Sequence, residues 1–204
     1  MADPSTSKGL KTRQGIIHAA ADLIHQRGVS GTSVDDVLRA TGTGKSQFYY
    51  YFEDKEDLVH HVLRYQLTRY LDRQRPYIDQ LSTWKGIRDW LDGLVDQHES
   101  RDLIGGCPIG SLAAEMADRD ESLRLAIAEA FQEWESFLIR GLEDMKQRGR
   151  LRRGANALEL AETVMASIQG GYLLATVKKD IGPMRASVSA AYAHLRLWSS
   201  SGKR

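Results

Sequence analysis

Residues 31–58 read Gly31-Thr32-Ser33-Val34-Asp35-Asp36-Val37-Leu38-Arg39-Ala40-Thr41-Gly42-Thr43-Gly44-Lys45-Ser46-Gln47-Phe48-Tyr49-Tyr50-Tyr51-Phe52-Glu53-Asp54-Lys55-Glu56-Asp57-Leu58. Ser33 is a good helix N-cap, and the short helix after it turns Val34, Val37 and Leu38 inward before ending near Thr41-Gly42. A second short helix starts at Gly44 or Lys45 and carries Phe48 and Phe52 inward. Asp54 then caps a longer helix, with Asp57 at the capping-box position and Leu58, Val62 and Leu63 on its inner face. Before all of these, Thr12–Arg27 places Ile16, Ala20, Leu23 and Ile24 on one face and stops at Gly28. A scaffold helix followed by two short helices across a glycine turn is the layout of a helix-turn-helix, whose second short helix enters the major groove. Here that helix exposes amine, hydroxyl, amide and phenol groups, which can donate to phosphates or reach base edges. Lys55 beside the N–H groups at a helix start suits a phosphate.

The rest of the chain also reads as helix. Pro76 should kink or end the helix that begins near Asp54. Trp84, Ile87, Leu91, Leu94 and Val95 recur at helical spacing after Ser82, and Arg101–Pro108, with Gly105, Gly106 and Pro108, is a loop. A short helix carries Ile109, Leu112, Ala113 and Met116; a long ladder runs from Leu123 to Met145 and ends at Gly149. Helices over Asn156–Lys178 and Pro183–Ser199 complete about nine. The fold class is therefore all-α, with a helix-turn-helix domain over residues 1–55, including a flexible tail over 1–11, and a larger helical domain over 56–204.

Over its 204 residues the chain is 27% charged and 42% hydrophobic, with a net charge of +1. That balance argues against disorder and carries no hint of nucleic acid by itself. Up to Lys55, seven Lys/Arg stand against six Asp/Glu, so the signal is placement: Lys8, Lys11, Arg13, Lys45 and Lys55 lie beside hydroxyl and aromatic groups. No apolar run approaches the ~18 residues that cross a bilayer. The polar start and the single cysteine, Cys107, suit a cytoplasmic protein without a disulfide framework.

The quoted stretch, from Gly31 through Phe52 to Leu58, resembles the N-terminal signature of the TetR family of regulators almost position by position, over roughly Thr12 to Leu63. The resemblance implies a homodimer on palindromic double-stranded operator DNA, two C-terminal helices at the interface and a small-molecule effector pocket in each subunit. A repressor released by its effector is the expectation. Carried over residue by residue, Ser33, Tyr50, Tyr51 and Lys55 would hold phosphates, while Lys45, Ser46, Gln47 and Tyr49 would face bases. The family commonly has a hydrophobic residue where this chain has Thr43 and a hydroxyl residue where it has Gly44. Glycine caps a helix but offers no hydroxyl, which moves weight onto Thr43 and Ser46.

Trp84, Trp90, Met116, Phe131, Trp134, Met165 and Tyr172 read individually as core residues; collectively they could wall a pocket for a flat or greasy effector. Cys107 sits between Gly106 and Pro108 at a helix start, where a thiol's pKa is lowered, so electrophile or redox sensing is the alternative mode of induction. Small and apolar residues, among them Ala161, Ile168, Ala175, Val188, Ala191, Tyr192 and Leu195, make the last two helices the expected dimer interface. The same faces could instead pack within one subunit. Gly42-Thr43-Gly44-Lys45-Ser46 superficially matches a phosphate-binding loop, yet the first glycine of that motif would fall at Arg39, and no strand precedes it. His60, His61 and His98 lack metal-ligand spacing, and no catalytic string is present, so neither a metal, a cofactor nor an enzyme is expected.

Overall fold

The computed structural model describes residues 6–200, in which nine helices are joined by short turns. They are α1 (Ser7–Arg27), α2 (Val34–Thr41), α3 (Lys45–Tyr51), α4 (Lys55–Ile78), α5 (Trp84–Glu99), α6 (Pro108–Met116), α7 (Glu121–Gln147), α8 (Ala157–Lys178) and α9 (Gly182–Leu197). Among the described residues the extended pairing amounts to one isolated bridge, between Leu151 and Ser199. Two compact units emerge: one takes the chain through Tyr70 with Pro108–Ala130, the other takes Leu71–Cys107 with the chain from Phe131. The expected boundary at 55/56 falls at the start of α4, whereas the two compact units part within that helix, after Tyr70.

In the first unit, α1 begins earlier than its apolar ladder suggests. Residues 7–11, expected in a flexible tail, are helical, because Thr6 caps the helix by accepting the Gly9 N–H at 3.1 Å; residues 1–5 of that expected tail lie outside the described residues. Ile16, Ile17, Ala20 and Ile24 of α1 join Val37, Phe48, Phe52, Leu58 and Val62 in the buried core of this unit. Pro76 stands in the last turn of α4, which ends two residues later at Ile78; lacking an N–H, it makes no helical bond back to Asp72 O.

The second unit buries Trp90, Leu91 and Leu94 of α5, Trp134, Leu138 and Leu142 of α7, and the inner faces of α8 and α9. α8 and α9 pack closely along their length: a Cβ added at Gly171 would stand 3.2 Å from Met184, so glycine sets how near the two backbones come.

Candidate functional site

The helix-turn-helix is built by local capping. Ser33 Oγ accepts the Asp36 N–H at 3.1 Å while Asp36 Oδ2 accepts the Ser33 N–H at 2.9 Å, a reciprocal capping box. The Ser33 hydroxyl and then its backbone N–H hold the Asp36 carboxyl down to about 2. The Ser33 hydroxyl expected to hold a phosphate is thus already engaged in the cap. Gly42 takes the left-handed conformation with φ 67°, and the Thr43 N–H returns to Leu38 O at 3.2 Å, closing α2. Gly44 starts α3 with no side-chain cap, as the absence of a hydroxyl there demands.

On α3, Phe48 is buried and Lys45, Ser46, Gln47, Tyr49 and Tyr50 point outward, the two tyrosines 56% and 55% exposed. Thr43 is half-buried, and so is Lys55 at the start of α4. Lys45 Nζ meets Asp35 Oδ1 at 3.2 Å, an exposed pair that DNA could exchange for phosphate or base contacts at little cost. Tyr51 requires a correction. It is only 5% exposed, with its ring 5.0 Å from Tyr50 and 6.4 Å from Phe52, so it belongs to the floor of the helix rather than to its exposed side. Helical spacing contained the signal: Phe48, Tyr51 and Phe52 stand at i, i+3 and i+4, one face of a helix. The sequence singled out Arg13 among the basic residues but not its partners: it lies 5.6 Å from the Phe52 ring centre and 3.0 Å from His61 Nε2, tying α1 to α4.

The expected effector residues separate. Trp90 and Trp134 come together, their rings 6.5 Å apart and nearly perpendicular, both donating to Gln74 Oε1 at 2.6 and 3.2 Å. A cavity of about 340 Å³ opens beside them, lined among others by Arg73, Gln74, Tyr77, Trp90, Leu94 and Ser100. Gln74 had no sequence signal, since a glutamine on a charged helix face reads as solvated. Trp84 is elsewhere, half-buried between Tyr192 and the Arg196 guanidinium, which is 4.9 Å from its ring centre. Tyr172 packs edge-on against buried His98 at 4.9 Å, and Thr176 Oγ1 is 3.3 Å from His98 Nε2. Met165 is buried on the inner side of α8, and Phe131 is half-buried at the point where the second unit resumes. Met116 belongs to the first unit and the tryptophan pair to the second. Cys107 is 3% exposed, which shields its thiol from reagents in solution.

The expected interface residues also need correction. Ala161, Ile168, Ala175, Val188, Ala191 and Leu195 are all buried within the single chain, and Tyr192 is half-buried, with its hydroxyl donating to Trp84 O at 3.2 Å. They hold α8 and α9 within the one chain. The outward faces carry a second stripe instead: Ala166, Gly170, Leu173 and Val177 on α8, and Ala186, Ala190, Ala193 and Leu197 on α9. Leu173 is 64% and Val177 72% exposed. Both helices are therefore apolar on two sides, and packing chose which side is the core.

Residues 16–62 match the model of the bacterial regulatory proteins of the tetR family, and residues 83–190 match that of the transcriptional regulator LmrA/YxaF-like C-terminal domain. The HTH-type transcriptional regulator LmrA of Bacillus subtilis is 32% identical over 178 residues, covering 85% of this chain and 90% of the relative. An uncharacterized HTH-type transcriptional regulator in the lacX 3'region of Lactococcus lactis is 30% identical over 184 residues, covering 86% and 89%. A TetR-family regulator structure from Cytophaga hutchinsonii has the same fold, with a TM-score of 0.83 at 23% identity, covering 97% of this chain and 100% of that one.

Proposed function

Because this chain belongs to the TetR family, whose members are transcriptional regulators and not enzymes, we propose that it is a ligand-responsive repressor that binds a palindromic operator as a homodimer. The observation that carries the reading is α3: Lys45, Ser46, Gln47, Tyr49 and Tyr50 stand clear of a floor made by Phe48, Tyr51 and Phe52. In this reading Lys45, Ser46, Gln47 and Tyr49 face bases, and Tyr50, Lys55, Thr43 and the backbone N–H groups at the start of α4 take phosphates. Residues 1–55 act as the DNA-binding domain and 56–204 as the effector-binding and dimerisation domain.

The dimer forms through the outward stripe of α8 and α9, giving a four-helix bundle across a two-fold axis and placing two recognition helices for half-sites about 34–36 Å apart. The exposed leucine, valine, alanine and glycine positions support it, since small residues at helical spacing allow close approach. A small hydrophobic or aromatic effector enters the cavity beside Trp90 and Gln74, and the burial of Cys107 favours this mode over sensing through the thiol. Release follows if the effector prefers a dimer geometry whose recognition helices no longer match successive major grooves. Such a protein works in the cytoplasm, where its operator lies; among the described residues no helix is long and apolar enough to cross a membrane.

The test is to sequence the DNA retained by the purified protein from sheared genomic fragments and to titrate it in gel shifts. One palindromic sequence bound by a dimer is expected. Retention of random fragments with no enriched sequence would overturn the reading.

A further inference from the structure

Val29 and Ser30, in the turn between α1 and α2, have backbone N–H groups that no helix can satisfy, since α1 ends at Arg27 and α2 begins at Val34. Both donate to one side chain 85 and more residues away. Glu115, on α6, accepts the Val29 N–H on Oε2 at 2.7 Å and the Ser30 N–H on Oε1 at 2.6 Å. Past the end of α6, Arg119 donates to Ser30 Oγ at 2.7 Å. The residue before the turn, Gly28, is a glycine for conformational reasons, with φ +75°, and a Cβ there would stand 2.8 Å from Glu115 Oε2. Burial works against the charge on Glu115, but the Ser30 N–H and hydroxyl, the Val29 N–H and the Arg119 guanidinium outweigh it and hold the carboxyl below its ordinary range.

A carboxylate that spends both oxygens on two consecutive peptide N–H groups fixes the turn in position and orientation, because charge-assisted bonds are short and directional. The held turn leads directly into Thr32, whose hydroxyl returns to Gly28 O at 2.8 Å, and into Ser33, the cap of α2. From Ser33 the chain runs through the α2 cap and the Gly42 turn to α3, so where residues 28–32 are held bears on where the recognition helix points. α6 follows on the chain from the 101–107 loop and is not part of the helix-turn-helix.

We propose that Glu115 is a positioning residue for DNA binding: through its clasp on the Val29 and Ser30 backbone, α6 sets the placement of the helix-turn-helix. The proposal rests on the DNA-binding reading above. Moving α6 away from the turn carries the turn with it or breaks both charge-assisted bonds.

The experiment compares the full-length protein with Glu115→Ala, Glu115→Gln and Arg119→Ala, using the operator fragment enriched by the unaltered protein. Amide hydrogen exchange reports the clasp, and gel-shift titration at several salt concentrations reports the coupling. In Glu115→Ala the Val29 and Ser30 amides are expected to exchange freely while helicity and dimerisation are kept. Operator affinity falls about tenfold with an unchanged salt slope, because every phosphate-binding group is still in place. Glu115→Gln keeps the size and one acceptor, so it should fall between the two, and it serves as the folded comparison if the alanine variant is unstable. Arg119→Ala should show a smaller effect in the same direction. Operator affinity in both Glu115 variants equal to that of the unaltered protein, or Val29 and Ser30 amides equally protected without the carboxylate, would overturn the proposal. An unaltered protein that enriches no DNA sequence would instead sink the regulatory reading, while the exchange arm would still decide whether the clasp exists.

Discussion

The Trp90 indole N–H donates to buried Gln74 Oε1 at 2.6 Å, and the same oxygen accepts from Trp134 at 3.2 Å. One buried carbonyl oxygen thereby satisfies two buried donors from α5 and α7. Gln74→Leu keeps the volume but takes this acceptor away from both indole N–H groups. It should lower stability by on the order of 3 kcal/mol, measured by urea unfolding followed through tryptophan fluorescence. An unchanged midpoint would show that another acceptor takes over.

The recognition helix separates affinity from specificity. Tyr50→Ala and Lys55→Ala are expected to weaken binding to all sequences alike; Lys55→Ala also reduces the salt slope by roughly one, whereas Tyr50→Ala, which removes no charge, leaves it unchanged. Lys45→Ala and Gln47→Ala should change which operator variant is preferred, by about 1–3 kcal/mol at the position each side chain reads. Tyr51→Ala behaves differently: its ring is part of the floor, so the loss should appear as lowered thermal stability before any change in sequence preference. Gel shifts against a panel of single-base operator variants distinguish these outcomes, and a uniform loss in the Gln47 variant would contradict its placement against bases.

Charges placed on the two sides of α8 and α9 should have opposite consequences. Leu173→Glu and Ala190→Asp are on the outward stripe and are expected to give folded monomers. Ala191→Glu and Leu195→Glu bury a carboxylate inside one subunit and should unfold the protein rather than dissociate it. Sedimentation velocity with circular dichroism reads both, and a Leu173→Glu protein that is still a dimer would place the interface elsewhere.

Buried His98 gives the second unit a dependence on pH. Burial, and after it the charges of Arg101 and Lys179, hold its imidazole below the ordinary value of 6.5, so the folded ring resists protonation more than the unfolded one does. Stability is full above that value and declines as the pH falls from it toward the lower pKa of the folded ring, because the unfolded chain then binds the extra proton. Urea midpoints between pH 7 and pH 5 should drop, less steeply in His98→Gln. A ring that titrates at its ordinary value by NMR would remove the effect.

The sequence by itself determined the architecture wherever the governing forces are local. Ser33 with Asp36, the left-handed Gly42 and Asp54 with Asp57 are caps and turns whose chemistry acts across three or four residues, so they locate α2, α3 and the start of α4. The helical ladders beyond them likewise follow from spacing alone. Tyr51 was legible too, because i, i+3 and i+4 share a face, although its phenol suggested exposure.

The tertiary structure alone decided which face of a doubly apolar helix becomes core. On α8, Ile168 and Leu173 are equally hydrophobic, yet one is buried and the other stands out, because α9 packs along only one side. The meeting of Trp90, Trp134 and Gln74, and the reach of Glu115 to Val29 and Ser30, depend on three-dimensional proximity between residues 16 to 86 apart in the chain. Periodicity records that a face is apolar or polar; what that face meets is decided by the close packing of the other helices.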